Sequence, residues 1–240
     1  MWDNHQMLNG VADGLYAVAA LLAIYALIVT IIRLPVFPLR EVEVIGVVAH
    51  TTRDQVLQIV GTELNGNFFT QDLERARLAF EKLPWVRHAQ LRRQWPDRLY
   101  VEIEEHTAIA RWGDTALIDG YGEMFAAATD QRLPVFIAPA DSTAELVQRY
   151  SQFRAPLASV GRRIVEIKVS DRRAWQLTLD SGDVLELGRE DMQERLQRYV
   201  GAYARTMARL PTRAYRVDLR YPSGFAVRAR ESTARARNGA

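Results

Sequence analysis

The sequence predicts an α+β protein anchored by a single N-terminal transmembrane helix, and three observations carry that expectation. Gly14 to Ile32, GLYAVAALLAIYALIVTII, is nineteen residues without a charge. Glu41 to Glu105 reads in the order strand, helix, helix, strand, strand. From Thr107 to Arg230 short alternating runs dominate, interrupted by two helical patterns, as expected of a mixed β-sheet domain.

Nineteen helical residues would extend about 28 Å, close to the hydrocarbon thickness of a bilayer. A secretory signal would need a basic leader, a shorter apolar stretch and a small-residue cleavage site. Residues 1–13 contain no Lys or Arg, and Arg33, Leu34 and Pro35 follow the run. A buried core helix is disfavoured because unbroken apolarity of this length is rare in small soluble domains. Arg33 and Arg40 lie on the C-terminal side, but long domains translocate largely regardless of flanking charge, so charge does not set the orientation. The expected boundaries are a tail over 1–13, a span over 14–32 and a linker over 33–40, broken by Pro35 and Pro38.

EVEVIG, Glu41 to Gly46, alternates Val42 and Val44 with Glu41 and Glu43 and predicts a first strand closed by glycine. Thr52 and Gln55 have capping-box spacing, ahead of an apolar face of Val56, Leu57 and Val60. LNGNFF is a loop. Thr70 is expected to cap a second helix, with Leu73, Ala76, Phe80 and Leu83 repeating at three- and four-residue intervals and Pro84 as its stop. WVRHAQLRRQWPDRLYVEIEE then predicts a hairpin turning at Trp95, Pro96 and Asp97. If Ala89, Leu91, Leu99, Val101 and Ile103 share a face, Arg93 pairs with Leu99, Leu91 with Val101 and Ala89 with Ile103. Arg92–Tyr100, Gln90–Glu102 and His88–Glu104 fall on the other face, and the tryptophans are expected to pack at the hairpin ends.

The second domain, over 107–230, begins with AIARW. ALIDGYGEMFAA and AWQLTLDSGDVLELG read as hairpins, the latter turning over Asp180 to Asp183, and IVEIKVS alternates as a strand. One helix is expected around Ala144 to Phe153. A longer one follows Gly188, with Met192, Leu196, Tyr199, Tyr203, Met207 and Leu210 along a face. AYRVDLRY and FAVRAR complete the fold, with Val217, Leu219 and Tyr221 inward if Arg216, Asp218 and Arg220 face out, which leaves Tyr221 open between core and interface. Residues 231–240 have nothing to bury and are expected to be disordered.

Composition excludes several functions. Basic and acidic residues number 31 and 29, for a net charge of +2, so no polyanionic partner is indicated. In the opening hairpin, Arg87, Arg92, Arg93 and Arg98 are matched by Asp97, Glu102, Glu104 and Glu105, a poor phosphate clamp, so no nucleic-acid partner is expected. The absence of cysteine removes a thiol nucleophile, a disulfide framework and a cysteine zinc site. His5, His50, His88 and His106 form no i, i+4 pair, and no nucleophile elbow, phosphate loop or dinucleotide fingerprint occurs. Glu102 and Glu104 fall on the wet face of the hairpin, where general acid–base pairs do not form. No catalytic, cofactor or metal residues are therefore expected.

The strand–helix–helix–strand–strand order, with LPWV before the hairpin, RRQWPDRLYVEIEE across it and AIARW after it, resembles the POTRA domain of the bacterial FtsQ/DivIB cell-division family. "VEVIG", "LIDGYGEMF", "RRAWQLTLDSGDVLELGR" and "VDLRYPSGFAVR" follow in the family's order, so the resemblance covers nearly the whole chain. It implies a POTRA domain over 41–106 and a β-domain over 107–230, both in the periplasm of a single-pass inner-membrane protein at the division septum. The implied role is a non-catalytic scaffold that binds FtsB and FtsL and links them to the septal wall synthases. The implied partner-binding residues are Arg172, Arg220, Tyr221, Ser223 and Gly224 in the β-domain, and Leu91 and Arg93 in the POTRA domain, where hairpin parity turns both inward. Glu105 matches a family glutamate expected at interdomain packing. A POTRA-bearing transport component and a membrane-anchored wall hydrolase are the alternatives. The first normally ends in a β-barrel, and the second needs convergent carboxylates or a metal cluster.

Overall fold

The computed structural model describes residues 5–33, 38–46, 48–64, 67–211 and 214–230. Helix α1, His5–Arg33, begins well before the uncharged run. Its Asn9–Ile32 segment has a mean hydropathy of 2.6 and none of its 18-residue apolar window is buried. A soluble core helix would hide such a surface, so the core-helix alternative fails. Part of the expected linker and all of 231–240 lie outside the described residues.

The chain divides into two compact units, 1–106 and 107–240. In the first, β1 (Glu41–Ile45), β3 (Arg98–Glu105) and β2 (Val86–Gln94) form a sheet in the order β1-β3-β2, with β1 parallel and β2 antiparallel to the central strand. Helices α2 (Arg53–Glu63) and α3 (Leu73–Phe80) supply Val56, Ile59, Ala76 and Phe80 to a core shared with Ala89, Leu99, Val101 and Ile103. The hairpin register is the one that parity predicts: Arg93↔Leu99, Leu91↔Val101 and Ala89↔Ile103. Gly46 closes β1 at φ +129°, and a Cβ there would lie 2.4 Å from the Ile103 carbonyl oxygen, so only glycine lets the chain leave the sheet at this point.

Three local expectations change. The Thr52–Gln55 capping box forms in both directions, but Leu57 points to solvent and Ile59 takes its place in the core. The α3 cap is Asp72, whose carboxylate accepts from Arg75 N at 3.0 Å, and not Thr70. Thr70 instead donates its N–H and Oγ1 to Asn67 Oδ1, both at 2.9 Å, in a turn that closes the preceding loop. Of the two hairpin tryptophans, Trp85 stacks on His50 with ring centroids 3.7 Å apart, whereas Trp95 at the tip is 75% exposed and does not pack as expected.

The second unit is built on a nine-stranded sheet. Its strands are β4 (Ala108–Trp112), β5 (Ala116–Asp119), β6 (Met124–Phe125), β7 (Val135–Ile137), β8 (Ile164–Val169), β9 (Trp175–Leu179), β10 (Val184–Gly188), β11 (Tyr215–Asp218) and β12 (Ala226–Ala229). They lie in the order β12-β11-β10-β9-β8-β7-β4-β5-β6. Both expected hairpins form, β5–β6 and β9–β10. Three-residue β7, not anticipated from sequence, pairs in parallel with both β4 and β8 and joins the two halves through buried Phe136. Helices α4 (Thr143–Ser159) and α5 (Met192–Tyr203) pack side by side, with Leu146, Phe153, Leu157, Leu196 and Tyr199 against sheet residues such as Ile167, Leu177 and Leu185. Helix α4 runs past Phe153 and through Pro156. Helix α5 stops at Tyr203, so Met207 is buried from a separate 3₁₀ turn, Met207–Arg209, and Leu210 is exposed.

Candidate functional site

Strand β12 forms one margin of the nine-stranded sheet. It pairs antiparallel with β11, from Tyr215↔Ala229 to Asp218↔Ala226, and has no strand on its outer side among the described residues. Its backbone therefore offers a row of N–H and C=O groups to another strand.

The segment leading into this edge is fixed at both ends. Leu219 is buried, and its N–H donates to Glu186 O at 3.0 Å. Arg220 then turns back on Asp218: its N–H, Nε and Nη2 meet the carboxylate at 3.1, 2.8 and 2.6 Å. Glu186 Oε2 lies 3.4 Å from the same Nη2. The hydrogen bonds from the Arg220 side chain hold the Asp218 carboxyl below its ordinary range despite partial burial, and raise the guanidinium in turn. Room for the arginine stem comes from Gly188, at φ +78°, because a Cβ there would meet Arg220 Cγ at 3.3 Å.

The turn ends the strand at Asp218, and alternation is lost. Tyr221, which alternation with Val217 and Leu219 leaves open between core and interface, is 54% exposed. Its backbone is tied down, with Arg198 Nη1 donating to Tyr221 O at 3.0 Å and also to Pro222 O. Ser223 is exposed and Gly224 half-buried. Phe225 closes the segment edge-on to Tyr199, with centroids 6.0 Å apart. Arg172 is exposed in the β8–β9 turn, whose flanking Ser170 and Ala174 line a cavity of about 230 Å³ together with Arg220, Glu186 and Lys168. The structure thus brings Arg172, Arg220, Tyr221, Ser223 and Gly224 to one end of the sheet. The two carboxylates that orient Arg220 escaped sequence reading. The Asp-x-Arg spacing in VDLRY is the signal that reveals one of them, whereas Glu186 lies a strand away.

Leu91 and Arg93 belong to the first unit. Leu91 is half-buried against the core, and Arg93 reaches across to donate from Nη2 to Gln71 O at 2.5 Å. Glu105 is tied to residues of its own unit. Its side chain, 6% exposed, accepts from Ala49 N (2.9 Å), His50 N (3.0 Å) and Thr51 N (2.7 Å). Glu102 and Glu104 are exposed and face Arg92 and Arg87 at 3.6 and 2.7 Å, the environment of surface ion pairs. A larger cavity, about 680 Å³, has Arg132, Arg154, Arg162 and Arg163 in its wall and no Asp, Glu or His.

An apolar N-terminal helix long enough to cross a membrane, a three-stranded module carrying two helices and a large sheet with an open edge describe a protein of two compact units behind a candidate membrane span. Residues 37–106 match the family model for the POTRA domain, FtsQ-type, and residues 110–220 that for Cell division protein FtsQ/DivIB, C-terminal. Relatives named Cell division protein FtsQ include those of Nitrosospira multiformis (46% identical; 95% of this chain and 99% of the relative), Burkholderia pseudomallei (40%; 95% and 94%) and Neisseria gonorrhoeae (31%; 95% and 95%). The chain belongs to the FtsQ/DivIB family of cell-division proteins. Family membership points to other division proteins as its partners, and the family is not known for enzymes.

Proposed function

We propose that the chain is a single-pass inner-membrane scaffold of the division septum that recruits FtsB and FtsL through the β12 edge and thereby links them to the septal wall synthases. In this reading residues 1–13 are cytoplasmic, 14–32 cross the membrane and 33–40 lead to a periplasmic POTRA domain (41–106) and β-domain (107–230). The observation that carries it is the unpaired margin of β12, flanked by exposed Tyr221 and Arg220. An added strand would take its affinity from main-chain hydrogen bonds and its specificity from adjacent side chains. Pro222 lacks an N–H but precedes β12, so it does not interrupt pairing there. Arg220 is held ready by Asp218, and Arg172 offers a second cation for partner carboxylates. Tyr221 supplies aromatic contact area, while Ser223 and Gly224 leave room for close backbone approach. Leu91 and Arg93 contribute by holding the POTRA surface in shape.

The test is capture of the FtsB and FtsL periplasmic segments by the full chain in lipid nanodiscs. Arg220→Glu should weaken binding by on the order of 2 kcal/mol or more, because it replaces attraction with like-charge repulsion. Thermal melts monitor folding. Unchanged affinity in a folded variant would remove this edge from the reading.

A further inference from the structure

We propose that the end of the POTRA domain carrying Trp95 and Phe69 docks onto the interfacial layer of the bilayer crossed by α1, fixing how that domain stands on the membrane. The inference rests on α1 spanning a lipid bilayer.

Trp95 occupies the tip of the β2–β3 hairpin with three-quarters of its surface exposed. That tip is fastened to the chain emerging from the span: Arg40 N donates to Asp97 O at 2.9 Å, and Arg40 Nε lies 3.8 Å from Asp97 Oδ2. A second tie lies close by. Asn67 bridges to Pro38 and donates from Nδ2 to Ile32 O at 2.5 Å, and Ile32 is the last residue of the apolar segment. Only the five residues 33–37 separate Ile32 from Pro38. Phe69, 43% exposed, is held two residues beyond Asn67 by its N–H to Asn67 Oδ1 at 3.0 Å. Arg93 joins the two features, since its bond to Gln71 O fastens the loop of Phe69 to β2 two residues before Trp95. Both exposed aromatic rings therefore lie on the end of the domain where the span terminates.

Tryptophan combines a broad apolar surface with one N–H donor, and it concentrates at the headgroup level of membranes for that reason. Two rings would bind vesicles weakly if free. Tethering by a few residues to a helix already in the bilayer turns that step into an intramolecular one with a high effective concentration, so weak partitioning suffices. The partner is the lipid surface next to the helix exit.

The full chain is reconstituted into phosphatidylethanolamine/phosphatidylglycerol vesicles with and without lipids brominated near the headgroup. The Trp95 emission is taken as the difference between wild type and Trp95→Phe, and flotation reports membrane insertion. The expected result is co-flotation with a Trp95 component that loses most of its intensity to brominated lipid and is shielded from aqueous iodide. Co-flotation with a Trp95 component quenched by iodide and indifferent to brominated lipid overturns docking while leaving the span intact. Failure to co-float overturns the span, and the inference with it.

Discussion

Replacing Glu105 by glutamine should detach the loop before α2 and destabilise the POTRA domain through one carboxylate. Burial alone would raise this carboxyl, yet hydrogen bonds donated by Thr51, Ala49 and His50 outweigh it and lower the group from an ordinary 4.5 to about 2. That difference corresponds to about 3 kcal/mol of stability at neutral pH. Glutamine removes the charge and turns an NH₂ group toward backbone donors, so most of that contribution should vanish. For a domain of this size the melting temperature should fall by roughly 10–20 °C. The sign with pH follows from a depressed folded-state pKa. The contribution is fully present above about 4.5 and is lost as pH falls toward 2, so the melts of wild type and Glu105→Gln should converge across that window. Thermal unfolding followed between pH 7 and pH 2, with hydrogen exchange at Ala49 to Thr51 as a local readout, measures both quantities. A gap below 1 kcal/mol at pH 7, or one that stays constant to pH 2, would refute the reasoning.

Gly46→Ala should cost about 2 kcal/mol or more in urea unfolding, because its Cβ meets the Ile103 carbonyl and its φ is positive; a neutral result would mean β1 leaves the sheet differently. Phe136→Ala should cost about 3–5 kcal/mol, since β7 joins two halves of one sheet through this ring, and a loss confined to local exchange would show the halves to be independent. Tyr221→Ala should weaken FtsB–FtsL capture by on the order of 2 kcal/mol with an unchanged melt; a lowered melting temperature would make the tyrosine structural.

What could be read from the sequence depended on the range of the interaction. The hairpin register was legible because one face must be apolar and a one-residue slip would reverse every side chain. The α2 cap was legible because both partners lie within four residues. Spacing points to Thr70 as the cap of α3, but Asn67 claims it and Asp72 caps the helix instead. Three-residue β7 is too short to show any period. Alternation alone left the side of Tyr221 open, and the turn at Asp218–Arg220, which ends that alternation, leaves the ring exposed. Glu105 finds its donors more than fifty residues away, and no local pattern announces such a contact.

Among the described residues, strand β12 is the last strand and also the margin of the sheet. Its neighbour in the sheet is β11, which must itself align on β10. During synthesis, β4 to β10 can assemble while the final strands are still being made. The open edge therefore comes into being only when the domain is otherwise complete. A partially made or truncated chain presents β11 or β10 as its margin instead, so the side chains bordering the finished edge are assembled only once β12 is in place.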